Sequence, residues 1–185
     1  MAGTQLWSNL YDTFYPQQTA ARDILERHSR SVAQLAAEIN IKQRLGLDPL
    51  EVEAAAMLHD IGIFLTDAPS VHCHGSQPYI RHGILGADLI RRHRLPEYLA
   101  RVAERHTGTG LTVNDILSIH LPLPTDRILM PQTLLERLIC YADKFYSKSR
   151  DMSLKNLDRV RHSLSKFPPA TTIRFEEMHK EFGGL

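Results

Sequence analysis

Histidine is unusually frequent in this sequence, with 10 residues spread along a chain of 185. Three of them, His28, His59 and His106, fall on the apolar stripe of a predicted helix. An imidazole there needs a partner, because an unsatisfied buried polar group costs roughly 1–3 kcal/mol. A single such histidine is usually a hydrogen-bonded core residue. Three of them, with Asp60 beside His59 and Asp143 on another apolar stripe, are typical of a nitrogen and oxygen metal site inside a helical bundle.

The pair His59-Asp60 continues into the tetrapeptide His-Asp-Ile-Gly, which ends at Gly62. The composition of the chain makes a His-Asp dipeptide expected by chance, but it does not do so for the whole tetrapeptide. Imidazole and carboxylate ligands without thiolates suit Fe, Mn, Co, Ni or Zn. Two such cations bridged by a carboxylate would activate a water for attack on phosphorus, and they would neutralise the charge developing on the phosphoryl oxygens. Hydrolysis of a phosphate ester or anhydride is the expected chemistry.

Helical periodicity runs through nearly the whole chain, and no stretch alternates convincingly as a strand, so we predict an all-α fold. The first predicted helix opens at Pro16 and carries His28, and the next runs from the Asp48 cap to near Gly62. Further helices are predicted over about 80–94, from Pro96 to about His106, after Thr112, and from the Thr133 capping box through Asp143. Segment 65–78 reads as a surface loop long enough to cover a site.

The composition becomes more charged after Arg150, where two amphipathic helices are predicted over about 153–166 and 172–182. We therefore expect one domain over residues 1–150, with its core at about 17–150. Residues 151–185 are expected to form a C-terminal helical extension packed on the same domain.

The overall charge is nearly balanced, with 22 Lys+Arg against 21 Asp+Glu and a net charge of +1. This balance provides no basic field for a nucleic-acid polymer, so we expect no such partner. No apolar run approaches the roughly 18 to 20 residues that cross a bilayer, and no secretory signal opens the sequence. Cys73 and Cys140 form no CxxC pair. We expect a cytoplasmic protein without a membrane partner.

Together these features resemble the HD superfamily of metal-dependent phosphohydrolases, in particular its small stand-alone HDIG type, which is related to diadenosine tetraphosphate hydrolase-like HD proteins. The residues that carry the resemblance lie at 27–29, 54–62, 81–87, 104–108 and 139–144. The resemblance implies an HD-domain helical bundle with divalent transition metals, expected to be two ions, with iron the first choice. It implies one metal on His28, His59, Asp60 and Asp143, and a second that Asp60 bridges and that His82 and His106 complete. Asp60, His82 and His106 are the residues expected to be catalytic.

The chain departs from these relatives directly after Asp143. Where the diadenosine tetraphosphate hydrolases have a Glu-Pro segment, this sequence has KFYSKS over residues 144–149, and it lacks the Gly-Tyr-Pro element of the cyclic-dinucleotide phosphodiesterases. These departures argue against dinucleotide and cyclic-dinucleotide substrates. The substrate that we expect is a small phosphorylated molecule, by preference a nucleotide. The candidate substrate-binding residues are Lys144, Arg81, His72 and His74.

Two other functions are compatible with the same residues. One is a mixed-valent di-iron oxygenase of the HD type, which would use the same six ligands. The other is a non-catalytic nucleotide- or metal-sensing module whose C-terminal helices bind a protein. A homodimer is also compatible with the sequence.

Overall fold

The computed structural model describes residues 2–148 and 153–183. Helices account for most of this part of the chain, which confirms the all-α prediction. In chain order they are α1 Ala2–Phe14, α2 Ala20–Lys42, α3 Pro49–Leu58, α4 His82–Arg92, α5 Glu97–Arg105, α6 Val113–Ser118, α7 Leu134–Asp143, α8 Leu157–Leu164 and α9 Pro169–Phe182. None of the helices in these two ranges has the length and apolar character needed to cross a bilayer.

Side-chain caps start several of these helices. The Asp48 carboxylate accepts from the Leu50 N–H, and Pro49 occupies the first turn of α3, as predicted. The Thr133 hydroxyl and the Glu136 side chain form a reciprocal capping box on α7, and Thr112 does the same for α6. The polar residues that punctuate the sequence therefore fix where the helices begin.

The core is built around α2, which packs against α3 and α7, while α4 packs against α5. The α2 stripe of Ile24, Val32, Leu35 and Ile39 is buried, as its spacing predicts. α1 had not been predicted. It is anchored by Tyr11, whose hydroxyl donates to the Met57 carbonyl at 2.9 Å.

Tyr15, just after α1, fixes the backbone beyond Asp60. Its hydroxyl donates to the Ile61 carbonyl at 3.0 Å and accepts from the Phe64 N–H at 3.0 Å. A 3₁₀ helix, Ile61–Leu65, begins at this point. The hydroxyl therefore holds the turn that follows the His-Asp dipeptide.

Several predicted helix boundaries were wrong, including the start of α9, which lies at Pro169 rather than at about 172. α2 begins at Ala20 rather than Pro16, because Thr19 caps it and the Thr19 hydroxyl accepts from the Arg22 N–H. α3 ends at Leu58 instead of near Gly62, because the backbone leaves the helix at Asp60 and tightens into the 3₁₀ turn. α4 begins at His82 and α8 at Leu157, a few residues later than predicted.

Segment 65–78, predicted as a loop, contains a short antiparallel hairpin of β1 Asp67–Ala68 and β2 Cys73–His74. Val71, between the two strands, and Cys73, in β2, are buried. The intervening His72 takes a left-handed conformation with φ of 56°. A two-residue strand is too short for an alternating pattern to show in sequence.

The C-terminal helices pack on α7 and on each other. Arg161 of α8 pairs with Glu176 of α9 through two contacts of 2.8 and 2.9 Å. The Tyr141 ring of α7 stacks on the Phe175 ring with 5.6 Å between centroids. The predicted boundary between domain and extension, at residues 150 and 151, lies outside the described residues.

Gly62 is needed for close approach of the 3₁₀ turn to α4. A Cβ at this position would collide with the His82 carbonyl oxygen and with the Gly86 backbone. The glycine of the His-Asp-Ile-Gly motif thus has a packing reason, because it lets α4 bring His82 against the turn that carries Asp60.

We predict that Gly62→Ala destabilises the protein by about 3 kcal/mol, because the new methyl group overpacks a backbone-to-backbone contact. Gly46→Ala is the matched control, since a Cβ there meets no atom within 4 Å and its φ of +71° is the only source of strain. The control should lose about 1 kcal/mol. Urea unfolding measures both values, and equal losses would contradict the packing role of Gly62.

Candidate metal centre

Six residues from separate parts of the chain meet in the interior. His28 comes from α2, Asp143 is the last residue of α7, and His82 is the first residue of α4. His59 and His106 immediately follow α3 and α5, and Asp60 follows His59. All six are buried. The structure therefore brings together the six predicted metal-ligating positions: His28, His59, Asp60, His82, His106 and Asp143.

The first group has two imidazoles facing two carboxylates. His28 Nε2 lies 3.0 Å from Asp143 Oδ1 and 3.3 Å from Asp60 Oδ2. His59 Nε2 lies 3.0 Å from Asp60 Oδ2 and 3.5 Å from Asp143 Oδ1. Four potential ligand atoms of this kind could hold one metal ion.

The second group shares Asp60 but uses its other oxygen. His82 Nε2 lies 3.3 Å from Asp60 Oδ1, and His106 Nε2 lies 3.4 Å from the same atom. One carboxylate therefore presents Oδ2 to the first group and Oδ1 to the second. This is the arrangement that a bridging ligand between two cations requires.

The backbone fixes the orientation of three of the imidazoles in the same way. Nδ1 of His59, His82 and His106 lies 2.6, 2.7 and 2.8 Å from the carbonyl oxygen three residues earlier, on Ala56, Tyr79 and Ala103. A carbonyl oxygen can only accept, so Nδ1 carries the proton and donates. In each neutral ring Nε2 then bears the lone pair that binds a metal.

A consequence appears between His82 and His106, whose Nε2 atoms are 3.0 Å apart. With both protons on Nδ1, two lone pairs face each other at this distance, and a cation is needed to make the contact favourable. Burial lowers the pKa of His82 to about 3, and burial also lowers the pKa of His106. Both rings are therefore neutral, which is the form that binds metal.

Asp60 provides the test of whether a metal fits. Both of its oxygens are fully buried. Imidazole and ammonium nitrogens lie 2.7 to 3.4 Å from them, but within the described residues none of these contacts has hydrogen-bond geometry. The Nε2 atom of His59 is unpartnered in the same sense. Such groups are costly unless an ion satisfies them, so the donor set fits a pair of cations.

The pKa shifts of the carboxylates and of His59 also support cation binding at this centre. Burial would raise the pKa of Asp60, but His59 and Lys148 outweigh burial and hold that pKa well below its usual range. Lys144 and Lys148 do the same for Asp143. Burial opposes protonation of His59, yet the Asp60 and Asp143 carboxylates raise its pKa to about 9. The centre thus holds two carboxylates that attract positive charge.

Lys148 belongs to this centre, and the sequence analysis missed it. Its Nζ lies 2.7 Å from Asp60 Oδ2, the oxygen that faces the first ligand group. Lys144, which was predicted to contact substrate, pairs with Asp143 Oδ2 at 2.7 Å. Both lysines lie in the KFYSKS segment that departs from the related hydrolases, and this departure was the one available signal for Lys148.

A cavity of about 350 Å³ opens beside the second ligand group. Its polar lining includes His82, His106, Asp143, Lys144 and Lys148. Its apolar lining includes Ile80, Leu111, Ile119, Leu121 and Phe167. A larger surface depression of about 560 Å³ runs beside α8, and none of the six candidate ligands lines it. Of these two spaces, only the cavity at the centre is lined by candidate ligands.

The predicted substrate-binding residues divide into two groups. Lys144 lines the cavity, whereas Arg81, His72 and His74 are not among its lining residues. Arg81 is half-buried, and the two histidines are exposed on the hairpin. Their proposed contact with substrate stays a prediction.

The remaining four histidines lie outside the centre. His93 sets its ring against Phe14, and the ring Nδ1 of His179 lies 2.8 Å from the Tyr141 hydroxyl. His120 and His162 are exposed.

The chain matches the HD domain family over residues 25–147, so it belongs to that family. This segment contains all six candidate ligands, and the predicted resemblance to the HD superfamily is confirmed.

Relatives of known sequence carry differing names. A tRNA (cytidine(56)-2'-O)-methyltransferase of Picrophilus torridus is 27% identical over 165 residues, which are 89% of this chain and 43% of the relative. A protein of the same name from Thermoplasma volcanium is 29% identical over 137 residues, 74% of this chain and 36% of the relative. An uncharacterized protein of Methanocaldococcus jannaschii is 34% identical over 119 residues, 63% of this chain and 62% of the relative. The chain thus spans less than half of the two relatives named as methyltransferases.

Among solved structures, the fold is similar to the HD domain of the L. monocytogenes phosphodiesterase PgpH. The TM-score is 0.56 at 16% identity, covering 93% of this chain and 94% of that one. A second structure of that domain, in complex with cyclic-di-AMP, gives 0.55 at 16% identity, with coverage of 93% and 92%. This likeness establishes the shared helical fold.

We predict that Asp60→Ala removes both metal ions, because each ligand group loses the Asp60 oxygen that it shares through the same carboxylate. His82→Ala and His106→Ala should lower the content by about one ion, since they touch the second group alone. Elemental analysis of protein purified without chelator measures the ratio. His120→Ala, an exposed histidine, is the control, and unchanged stoichiometry in all three variants would refute the assignment.

We also predict that Lys148→Met destabilises the metal-free protein by about 3 kcal/mol, because it removes one partner of a buried ion pair and leaves Asp60 less compensated. Saturating Mn²⁺ should reduce this loss, since the cation then compensates the carboxylate. The variant should therefore bind Mn²⁺ more tightly than the wild-type protein. Lys166→Met, at an exposed position, is the control. Equal destabilisation with and without Mn²⁺ would contradict a role of Lys148 as the internal counter-ion of Asp60.

Proposed function

We propose that this protein is a metal-dependent phosphohydrolase that cleaves a phosphate ester or anhydride of a nucleotide or another small phosphorylated metabolite. The observation that carries the proposal is the Asp60 carboxylate, which offers one oxygen to each of two nitrogen and oxygen ligand groups. Membership of the HD domain family supports it.

In this proposal His28, His59, Asp60 and Asp143 hold one ion, and Asp60, His82 and His106 hold the other. The donor set suits divalent transition metals, with iron as our first choice and Mn, Ni, Co or Zn as alternatives. When bound, two such ions would supply an activated water and positive charge for the phosphoryl oxygens.

The residues of the chain provide position and selectivity. The carbonyls of Ala56, Tyr79 and Ala103 keep three imidazoles aimed through Nε2, so the ligand groups are preorganised. Lys144 places an ammonium group on the cavity wall, where it can bind a phosphate oxygen as a point charge. The apolar lining of the cavity can receive the non-phosphate part of a substrate.

The cavity size and the charge balance favour a small molecule over a nucleic-acid polymer. A volume of about 350 Å³ accommodates one nucleotide-sized ligand. The complex of the PgpH HD domain with cyclic-di-AMP supports a nucleotide as the ligand class. The missing Gly-Tyr-Pro element argues against cyclic dinucleotides for this chain.

We further propose that the extension after residue 150 functions as part of the same domain. Thr171 and Phe167, from α9 and the segment before it, line the cavity. The Thr109 hydroxyl donates to the Thr171 carbonyl at 3.1 Å, and Arg174 pairs with Asp115 at 2.9 Å. The extension thus completes a wall of the site rather than forming a separate module.

Hydrolysis is tested with Mn²⁺- or Fe²⁺-loaded protein and a panel of nucleoside mono-, di- and triphosphates and sugar phosphates. We expect release of phosphate or nucleotide from at least one compound. Asp60→Asn should lower kcat/KM on the order of 1,000-fold or more, because both ligand groups lose charge. His120→Ala should remain active.

Two results would overturn the proposal. Oxygen consumption by the iron-loaded protein, with a mixed-valent paramagnetic signal and no hydrolysis across the panel, would make it an oxygenase. Full cellular function of Asp60→Asn, when the purified variant has lost its metals, would make it a non-catalytic sensing module.

A further inference from the structure

A second cavity of about 280 Å³ joins the first at the metal centre. The two share Tyr79, Gly108, Asp143, Lys144, Lys148 and Phe167, and from there they diverge. We call the first the apolar arm, after Ile80, Leu111, Ile119 and Leu121. We call the second the polar arm, after Tyr146, Lys155 and Ser163. A ligand at the centre can therefore extend in two chemically different directions.

Lys155 is the charged residue that lines the polar arm and not the apolar arm. Its backbone N–H donates to the Phe145 carbonyl at 2.8 Å. Its Nζ donates to the Tyr146 and Lys144 carbonyls at 3.2 and 3.5 Å. These bonds use two of its three ammonium protons and fix the group at the cavity wall, which leaves one donor for a ligand.

The polar arm carries more positive than negative charge. Lys144 and Lys148 are paired with Asp143 and Asp60, but among the residues that the structure describes no carboxylate forms an ion pair with Lys155. Burial lowers the pKa of Lys155, the Asp143 carboxylate opposes this shift, and the charges of Lys144 and Lys148 add to it. Metal ions at the centre would add to this excess, so an anionic group in the polar arm would be stabilised.

We propose that the polar arm is a subsite for a second phosphate group and that Lys155 binds it. This inference rests on the proposed function and narrows it to linear phosphoanhydrides, such as nucleoside di- or triphosphates, in preference to phosphomonoesters. The phosphate to be attacked lies at the metal centre, the nucleoside in the apolar arm, and the next phosphate against Lys155.

In this arrangement the leaving group occupies the polar arm. The water oxygen forms a bond to the phosphorus at the centre, and the bridging P–O bond breaks. Its electron pair stays on the phosphate held by Lys155, one water proton goes to that phosphate, and the other goes to solvent. The Lys155 ammonium stabilises the charge that develops on the departing oxygen.

Binding of two non-hydrolysed anions to the Mn²⁺-loaded protein tests the subsite without turnover. Titration calorimetry compares orthophosphate with methylenediphosphonate, a diphosphate analogue whose phosphorus atoms are joined by carbon. The wild-type protein should bind the diphosphonate about tenfold more tightly or better. Lys155→Met should remove about tenfold of diphosphonate affinity and change orthophosphate affinity less than twofold.

Two further variants keep this result interpretable. Lys180→Met, at an exposed position on α9, removes the same charge away from the cavities and should preserve the preference. Lys155→Arg retains the charge and should preserve most of it, with thermal unfolding checking that both Lys155 variants are folded. The subsite is overturned if the wild-type protein shows no preference, or if Lys180→Met weakens the preference as much as Lys155→Met does. A preserved preference without any hydrolysis would overturn the proposed function and leave the subsite intact.

Discussion

The Asp60 carboxylate is the group on which the rest of the structure depends. It is fully buried, and a buried ionised carboxylate is costly unless cations or strong donors surround it. Its surroundings supply imidazoles at 3.0 to 3.4 Å and one ammonium at 2.7 Å, each from a different segment. α2, α4, α5 and the segment after α7 all converge on this group. The bundle is therefore arranged around a charge that it cannot neutralise through hydrogen bonds alone.

The positions of the imidazole and ammonium groups around Asp60 depend on the backbone as much as on the side chains. The chain leaves α3 after Leu58, so His59 and Asp60 lie at a helix end, where a residue can turn its side chain inward without a helical neighbour. Gly62 then permits contact with α4, and Tyr15 holds the turn from the other side. His59 and His106 each donate to a carbonyl in the last turn of the helix that precedes them, on Ala56 and Ala103. His82 instead donates to the Tyr79 carbonyl, in the 3₁₀ turn before α4. In each case a backbone carbonyl fixes the direction of the ring.

Much of this could be predicted from sequence, for identifiable reasons. The apolar stripe of α2 and the caps at Asp48 and Thr133 are local patterns, and the local patterns gave the helices that carry the ligands. In α1, Trp7, Leu10 and Tyr11 are spaced as on one face of a helix. The sequence before them has no typical capping residue next to this pattern, and α1 was not predicted. Lys148 and Lys155 could not be found this way, because their positions depend on the path of the chain beyond α7. A surface lysine and a lysine that contacts Asp60 look alike in sequence, and only tertiary contacts distinguish them.

The net charge of the whole chain and the local charge of the cavity have different consequences for ligand binding. A net charge of +1 argues against binding to a polyanionic polymer, but it says little about a cavity in which charges are few and poorly screened. Lys144 and Lys148 pair with Asp143 and Asp60, so each buried carboxylate has an internal counter-ion in the metal-free protein. A cation bound there would add positive charge near Lys155, whose pKa the charges of Lys144 and Lys148 already lower. Metal binding and recognition of an anionic ligand would therefore be coupled through electrostatics, although the candidate metal ligands and Lys155 lie on different elements.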